Sequence, residues 1–143
     1  MKILVSACLC GIDCRYKGDH CRNEAIRALA KEHILIPVCA EQLGGLPTPR
    51  NPSEIQGEKV TMCDGTDVTA QYRRGAESVL RIALLNSVDF AILKAKSPSC
   101  GKGVIYDGSF TGAKTAGNGV TAELLMQNGI PVFTEDELDQ LPI

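Results

Sequence analysis

Four of the chain's seven cysteines, Cys8, Cys10, Cys14 and Cys21, fall within "SACLCGIDCRYKGDHC"; Cys39 follows in "PVC", Cys63 in "TMCDG" and Cys100 in "SPSCG". Thiols gathered in this way make disulfides, hold soft metals or act as nucleophiles. The disulfide role fits poorly. The count is odd, and 143 residues bury roughly 68–70% of their unfolded surface without needing staples. The chain also shows no charged-then-apolar leader, and no apolar run near the ~20 residues that cross a bilayer. The expected location is therefore cytoplasmic, and in that reducing compartment a cysteine cluster is more often a metal or catalytic site.

Spacing alone selects no metal. There is no Cys-x-x-Cys pair, so the usual zinc-ribbon and thioredoxin patterns are absent, as is the ferredoxin run. Cys10 and Cys14 make a loose zinc half-site that no second short-spaced pair completes. His33, at a predicted helix end, is better explained by the helix dipole, and His20 is no better a completion. All-thiolate ligation from dispersed cysteines suits iron-sulfur or zinc rather than hard cations. In "SPSCGKG" the two glycines and short side chains would let backbone N–H groups approach bridging sulfides, which favours iron-sulfur.

The elements that must position these thiols follow from hydrophobic periodicity. "KILVSA", "ILIPVC", "DFAILKA" and "IPVF" are short apolar runs that read as buried strands. "NEAIRALAKEH", "TAQYRRGAESVLRIALLN" and "TAELLMQN" carry apolar residues at helical spacing, the last closed by Gly129. "TEDELDQL" is a short helix with Thr134 and Glu137 at capping-box spacing. "KVTMCDGTDVT" predicts a hairpin about its Asp-Gly turn and "GVIYDGSFTG" a second, followed by a flexible "AKTAGNG". "AEQLGGLPTPRNPSEIQGEK" reads as a long functional loop. Strand, helix and strand in this order give a right-handed, parallel βαβ unit. The fold expected is α/β, a single domain over 1–143: a three-layer Rossmann-like open sheet, mainly parallel, with small β-hairpin insertions.

Ligands of such sheets bind beyond the carboxyl ends of the strands, where the strand order reverses. Cys8 ends the first predicted strand, Cys39 ends the second and Cys100 lies in the turn after the third, so the three converge on one sheet edge. Cys10 and Cys14 share the first loop and could reach the site. Cys21, at a helix start, and Cys63, beside a hairpin turn, read as small buried hydrophobes.

The net charge of −2, from 15 basic and 17 acidic residues, and an aromatic content of 4% give no global footprint for nucleic acid. A small molecule is the expected substrate. Arg15, Lys17, Arg22, Arg50, Lys96 and Lys102 nevertheless crowd the cysteine loops, which keeps a thiolated tRNA open as an alternative.

"SACLCG" with "CRYKG", "PVCAEQLGGLPTPR", "DVT", "LKAKSPSCG", "YDGSFTG" and "GNGVTAELL", in order over nearly the whole chain, resemble the thiouracil desulfurases of the TudS type. The resemblance implies a 4Fe-4S cluster held by Cys8, Cys39 and Cys100, with one iron lacking a protein ligand. It implies Glu41 as the acid/base carboxylate and Ser97 as the catalytic serine, with Ser99 as the second choice. This chain departs from the family pattern at Cys10, usually apolar, and Ala40, usually Pro; the first leaves open whether Cys10 or Cys14 fills the fourth iron. The chemistry implied is hydrolytic and non-redox. The sulfur of a thiolated pyrimidine binds the open iron, water helped by Glu41 and Ser97 attacks the ring carbon, and hydrosulfide leaves. Arg50 would contact the sulfide or a ring oxygen, or else be a solvated loop residue. An iron-sulfur electron carrier or accessory domain with a fourth cysteine ligand, and a zinc-binding interaction module, are the alternative functions.

Overall fold

The computed structural model describes residues 1–143. Its centre is a parallel sheet of four strands, β1 (Lys2–Ser6), β2 (Ile34–Val38), β5 (Phe90–Leu93) and β8 (Val132–Thr134), in the spatial order β2-β1-β5-β8. Each was expected from its apolar run, as parallel strands covered on both faces must be. The sequence order reverses about β1, so the gap between β1 and β5 is the switch point.

The two faces of the sheet bury two separate cores. Leu4, Ala91 and Leu93 pack on one side with Val79 and Ala83 of α3 (Thr69–Asn86) and Leu125 of α4 (Val120–Gln127). Ile3, Val5, Phe90 and Ile92 pack on the other with Ile26 of α1 (Glu24–Ala28), the cysteine loop and, at its margin, Leu138 and Leu141. This is the three-layer arrangement expected. α1 is short: Asn23 caps it by accepting from Ile26 N, and Leu29–Lys31 tighten into a 3-10 turn. Cys21 therefore precedes the helix rather than starting it. The closing turn, Glu135–Gln140, is a kinked 3-10 segment with the Thr134–Glu137 capping box in place.

The hairpins differ from expectation in register. β3 (Ser53–Gln56) pairs with β4 (Lys59–Met62) about Gly57 and Glu58, not about Asp64-Gly65. The Asp-Gly pair still makes a tight turn, with Met62 N donating to Thr66 O, but only an isolated Thr61–Asp67 bridge follows it. β6 (Val104–Tyr106) pairs with β7 (Lys114–Ala116), so the return strand lies in the segment expected to be flexible.

One element was not expected. Ala40–Leu43, at the start of the predicted long loop, forms a single helical turn, α2. It lies against α3 through two glycines: a Cβ on Gly44 would overlap the Gln71 carbonyl oxygen, and one on Gly75 the Ala40 carbonyl oxygen. Only residues without side chains permit backbones to meet so closely. That crossing fixes where Cys39 and Glu41 stand.

Candidate active site

Strand register brings the thiols together. Ser6 pairs with Val38 and Val5 with Ile92, so Cys39 is the first residue beyond β2 and Cys8 the second beyond β1. Ser6 Oγ also accepts from Lys94 N at 3.0 Å, tying the end of β1 to the chain leaving β5. Glu135 holds that exit segment from the other side, accepting from Lys94 Nζ at 2.6 Å and Ala95 N at 2.7 Å.

The result is a cavity of about 380 Å³ beyond the strand ends, lined by Cys8, Cys14, Cys39 and Cys100 together with Glu41, Ser97 and Ser99. Its volume lies in the range of sites for small ligands. Every residue singled out as ligand, acid/base or serine reaches this one cavity. Cys14 does too. Cys10 does not; it packs at the edge of the second core, where burial raises its thiol pKa. Cys63 is exposed, contrary to the expectation of a buried hydrophobe.

The thiols feel one another. The contact of Cys14 with Cys39 favours its ionised form, but contact with Cys8 and burial outweigh this, and the Cys14 thiol is pushed up to about 11. The hydrogen bond with Cys14, followed by burial, raises Cys39 well above the usual thiol range. Burial pushes Cys100 up to about 12, opposed by the Ser6 hydroxyl and reinforced by the charges of Glu41 and Cys39. No three His, Cys, Asp or Glu side chains converge on a point as a mononuclear ion demands. Cys8, Cys14, Cys39 and Cys100 line the one cavity.

Glu41 occupies the first turn of α2. Arg50 Nε donates to its Oε1 at 3.0 Å. The same guanidinium donates from Nη2 to Cys14 O at 2.9 Å and from Nη1 to Pro47 O at 3.2 Å and Thr48 Oγ1 at 3.0 Å. The Arg50 side chain is thus buried, with four of its five N–H donors engaged, and is not a solvated loop residue. It joins the cysteine loop, the "GGLPTPR" segment and the acid/base candidate in one network. Hydrophobic periodicity carries no sign of this pairing; the Arg at the end of a Gly- and Pro-rich loop was the signal available.

Ser97 and Ser99 have different occupations. Ser97 Oγ accepts from Ser99 N and Cys100 N, both at 3.1 Å, and Gly101 N donates to Ser97 O at 2.8 Å. Those N–H groups therefore close the loop itself rather than point at a sulfide, which revises the expectation for "SPSCGKG". Ser99, 1% exposed, shares a hydrogen bond of 2.9 Å with Thr121 Oγ1. Its carbonyl and that of Pro98 accept from the first N–H groups of α4, and a Cβ on Gly119 would overlap Ser99. Ser99 is held in the α4 junction, whereas the Ser97 hydroxyl keeps its own proton to donate.

The remaining wall comes from Tyr72 of α3, Ser53 and Glu54 of β3, and Phe110 in the β6–β7 loop. Glu54 Oε1 anchors that loop by accepting from Gly108 N at 2.9 Å and Phe110 N at 3.2 Å. Four of the six basic residues noted near the thiols are locally paired: Arg15 with Asp19, Arg22 with Glu24, Arg50 with Glu41 and Lys102 with Glu137.

The fold and site together are an open parallel α/β sheet with a thiol-lined cavity and a buried Arg–carboxylate pair beyond its strand ends. The model of the 2-thiouracil desulfurase family matches residues 3–137, and the chain belongs to that family. It is 46% identical to the uncharacterized protein YbbK of Bacillus subtilis (strain 168), across 97% of this chain and 99% of that one. It is similar to the solved structure of the 4Fe-4S-dependent thiouracil desulfidase TudS, with a TM-score of 0.93 and 48% identity over 98% of this chain and 94% of that one. No helix is long and apolar enough to cross a membrane.

Proposed function

We propose that this protein is a desulfidase of thiolated pyrimidines, replacing a ring thiocarbonyl by a carbonyl with release of hydrosulfide. The observation that carries the reading is the meeting of Cys8, Cys39 and Cys100, from three strand ends, in one cavity with Glu41. An all-sulfur donor set lining one cavity suits a 4Fe-4S cluster, the cofactor named for the similar TudS structure. Cys8, Cys39 and Cys100 would hold three of its irons. When bound, the cluster supplies a soft Lewis acid at its remaining iron, matched to a thiocarbonyl sulfur rather than an oxygen.

The chain's own groups handle the water. Glu41 takes a proton from the water that attacks the thiocarbonyl carbon, and returns it as hydrosulfide departs; the thiocarbonyl and water become a carbonyl and hydrogen sulfide, with no net electron transfer. Arg50 holds one oxygen of Glu41 and so fixes the carboxylate's direction. A positioned acid/base of this kind contributes about 10²–10⁴-fold. The Ser97 hydroxyl, with its oxygen occupied by two backbone donors, donates to the water or to the substrate. The cavity volume and the local pairing of most nearby cations support a free base or nucleoside over tRNA.

The test is to reconstitute the protein anaerobically, add 4-thiouracil, and follow loss of thiocarbonyl absorbance together with free sulfide. Stoichiometric appearance of uracil and sulfide is the expected result; a loaded protein that yields neither would refute the reading. A carrier with a fully ligated cluster is the second reading, and Cys14 is the observation behind it, since it lines the cavity together with Cys8 and Cys39.

A further inference from the structure

One side chain in the cavity wall has no part in the chemistry so far described, and packing does not account for it. Phe110, in the β6–β7 loop, is half-buried and lines the cavity, yet it belongs to none of the three apolar clusters. Its backbone is also unusual. Phe110 stands at φ +57°, between Gly108 at +92° and Gly112 at +83°. That left-handed region costs energy for residues other than glycine, and a bulky side chain there is an outlier. Outliers of this kind persist only where the surroundings impose them, and they gather at ligand sites.

Here the surroundings are specific. Glu54 Oε1 accepts from Gly108 N at 2.9 Å and from Phe110 N at 3.2 Å, and Gln56 Nε2 donates to Gly108 O at 2.7 Å. Two side chains of β3 thus grip the loop, one of them the buried carboxylate of Glu54. The chain has three Tyr and three Phe, and the other five rings are otherwise engaged. Phe90 and Phe133 pair edge to face at 5.7 Å, and Tyr72 is 1% exposed. Arg15 and Lys17 lie over the ring of Tyr16, and Lys114 over that of Tyr106. Phe110 is the ring in the cavity wall that neither full burial nor a cation covers.

A pyrimidine thione is a flat, polarisable ring whose polar groups all lie on its edge. An aromatic contact on its face holds such a ring while leaving the sulfur, oxygen and N–H groups free for the cofactor, Glu41 and Ser97. We infer that Phe110 is a specificity-determining residue whose ring stacks on the face of the substrate pyrimidine, with Glu54 the positioning residue that holds its loop, an inference that rests on the function proposed above.

The experiment compares cluster-loaded wild type, Phe110→Leu and Phe110→Tyr on 4-thiouracil and on 5,6-dihydro-4-thiouracil, which keeps the thiocarbonyl, carbonyl and N–H groups but loses the flat aromatic ring. In Phe110→Leu, KM for 4-thiouracil rises about tenfold, within the range of one base–aromatic contact, and kcat changes little, while the dihydro compound is handled as in wild type. Phe110→Tyr, which restores a ring, behaves as wild type on both. A loss of equal size on both compounds, no loss on 4-thiouracil, or a Phe110→Tyr as impaired as Phe110→Leu would overturn the inference. Glu54→Ala raises KM for 4-thiouracil in the same way, and adding it to Phe110→Leu has no further effect; additive losses would remove Glu54 from the positioning role. A second readout needs no cluster. Uracil raises the melting midpoint of cluster-free wild type and of Phe110→Tyr, and raises that of Phe110→Leu less; an equal rise in all three, or a rise in none, counts against Phe110. Failure of wild type to release sulfide from 4-thiouracil would instead refute the proposed function itself.

Discussion

Arg50 Nε lies 3.0 Å from Glu41 Oε1, with the Arg50 side chain only 3% exposed. A buried pair of this kind is costly to break from one side, because the surviving charge loses its partner out of water. Arg50→Ala also strips a donor from the carbonyls of Cys14 and Pro47. A loss of about 3 kcal/mol is expected, seen as a lower denaturant midpoint with m unchanged. Arg50→Lys keeps the charge but not the fork and should fall between.

Glu41→Gln separates the carboxylate's chemistry from its place in the structure. The amide is nearly isosteric and can still accept from Arg50, so iron and sulfide content should match wild type. Sulfide release should drop by about 10²–10⁴-fold. An unchanged rate in a fully loaded variant would remove Glu41 from the proton transfer.

The two loop cysteines outside the proposed ligand set give a third test. Cys10→Ser and Cys14→Ser should each retain about four irons per chain and measurable desulfuration, as a three-cysteine site requires. Loss of the cluster in Cys14→Ser alone would favour the carrier reading. Loss in Cys10→Ser is not expected, since Cys10 lies outside the cavity.

Gly75→Ala tests the helix crossing. The added methyl would meet the Ala40 carbonyl, which is backbone and has no rotamer to change. Destabilisation of about 3 kcal/mol is expected, with poor cluster uptake because Cys39 and Glu41 flank Ala40. Normal stability and loading would show that α2 has room to shift.

Thiol accessibility offers a measurement on the cluster-free protein. Cys63 is exposed, whereas Cys8 is 7% and Cys14 2% exposed. With limiting iodoacetamide, mass spectrometry should find Cys63 alkylated first and Cys8 and Cys14 last.

What could be read from the sequence divides along physical lines. The four sheet strands are continuous apolar runs bounded by breakers, so they, and with them the convergence of Cys8, Cys39 and Cys100, were legible. α2 was not, because four residues are too few to display a helical period. The hairpin at Ser53–Met62 was misplaced because Asp64-Gly65 is the stronger turn signal, while Gly57, at φ +63°, makes the real one. Tyr72 was hidden within α3: it sits one turn before Ala76 on the apolar stripe and reads simply as core. The Arg50–Glu41 pair depends on how the Pro-rich excursion between them closes, and no local pattern encodes that.

The walls of the cavity come from the first loop, α2, β3, α3, the turn after β5 and the β6–β7 arm. These segments are scattered from Ser6 to Gly112 along the chain, so the cavity exists only where the tertiary fold brings them together. The thiols are therefore neighbours through strand register, which sets Val5 of β1 beside both Pro37 and Ile92.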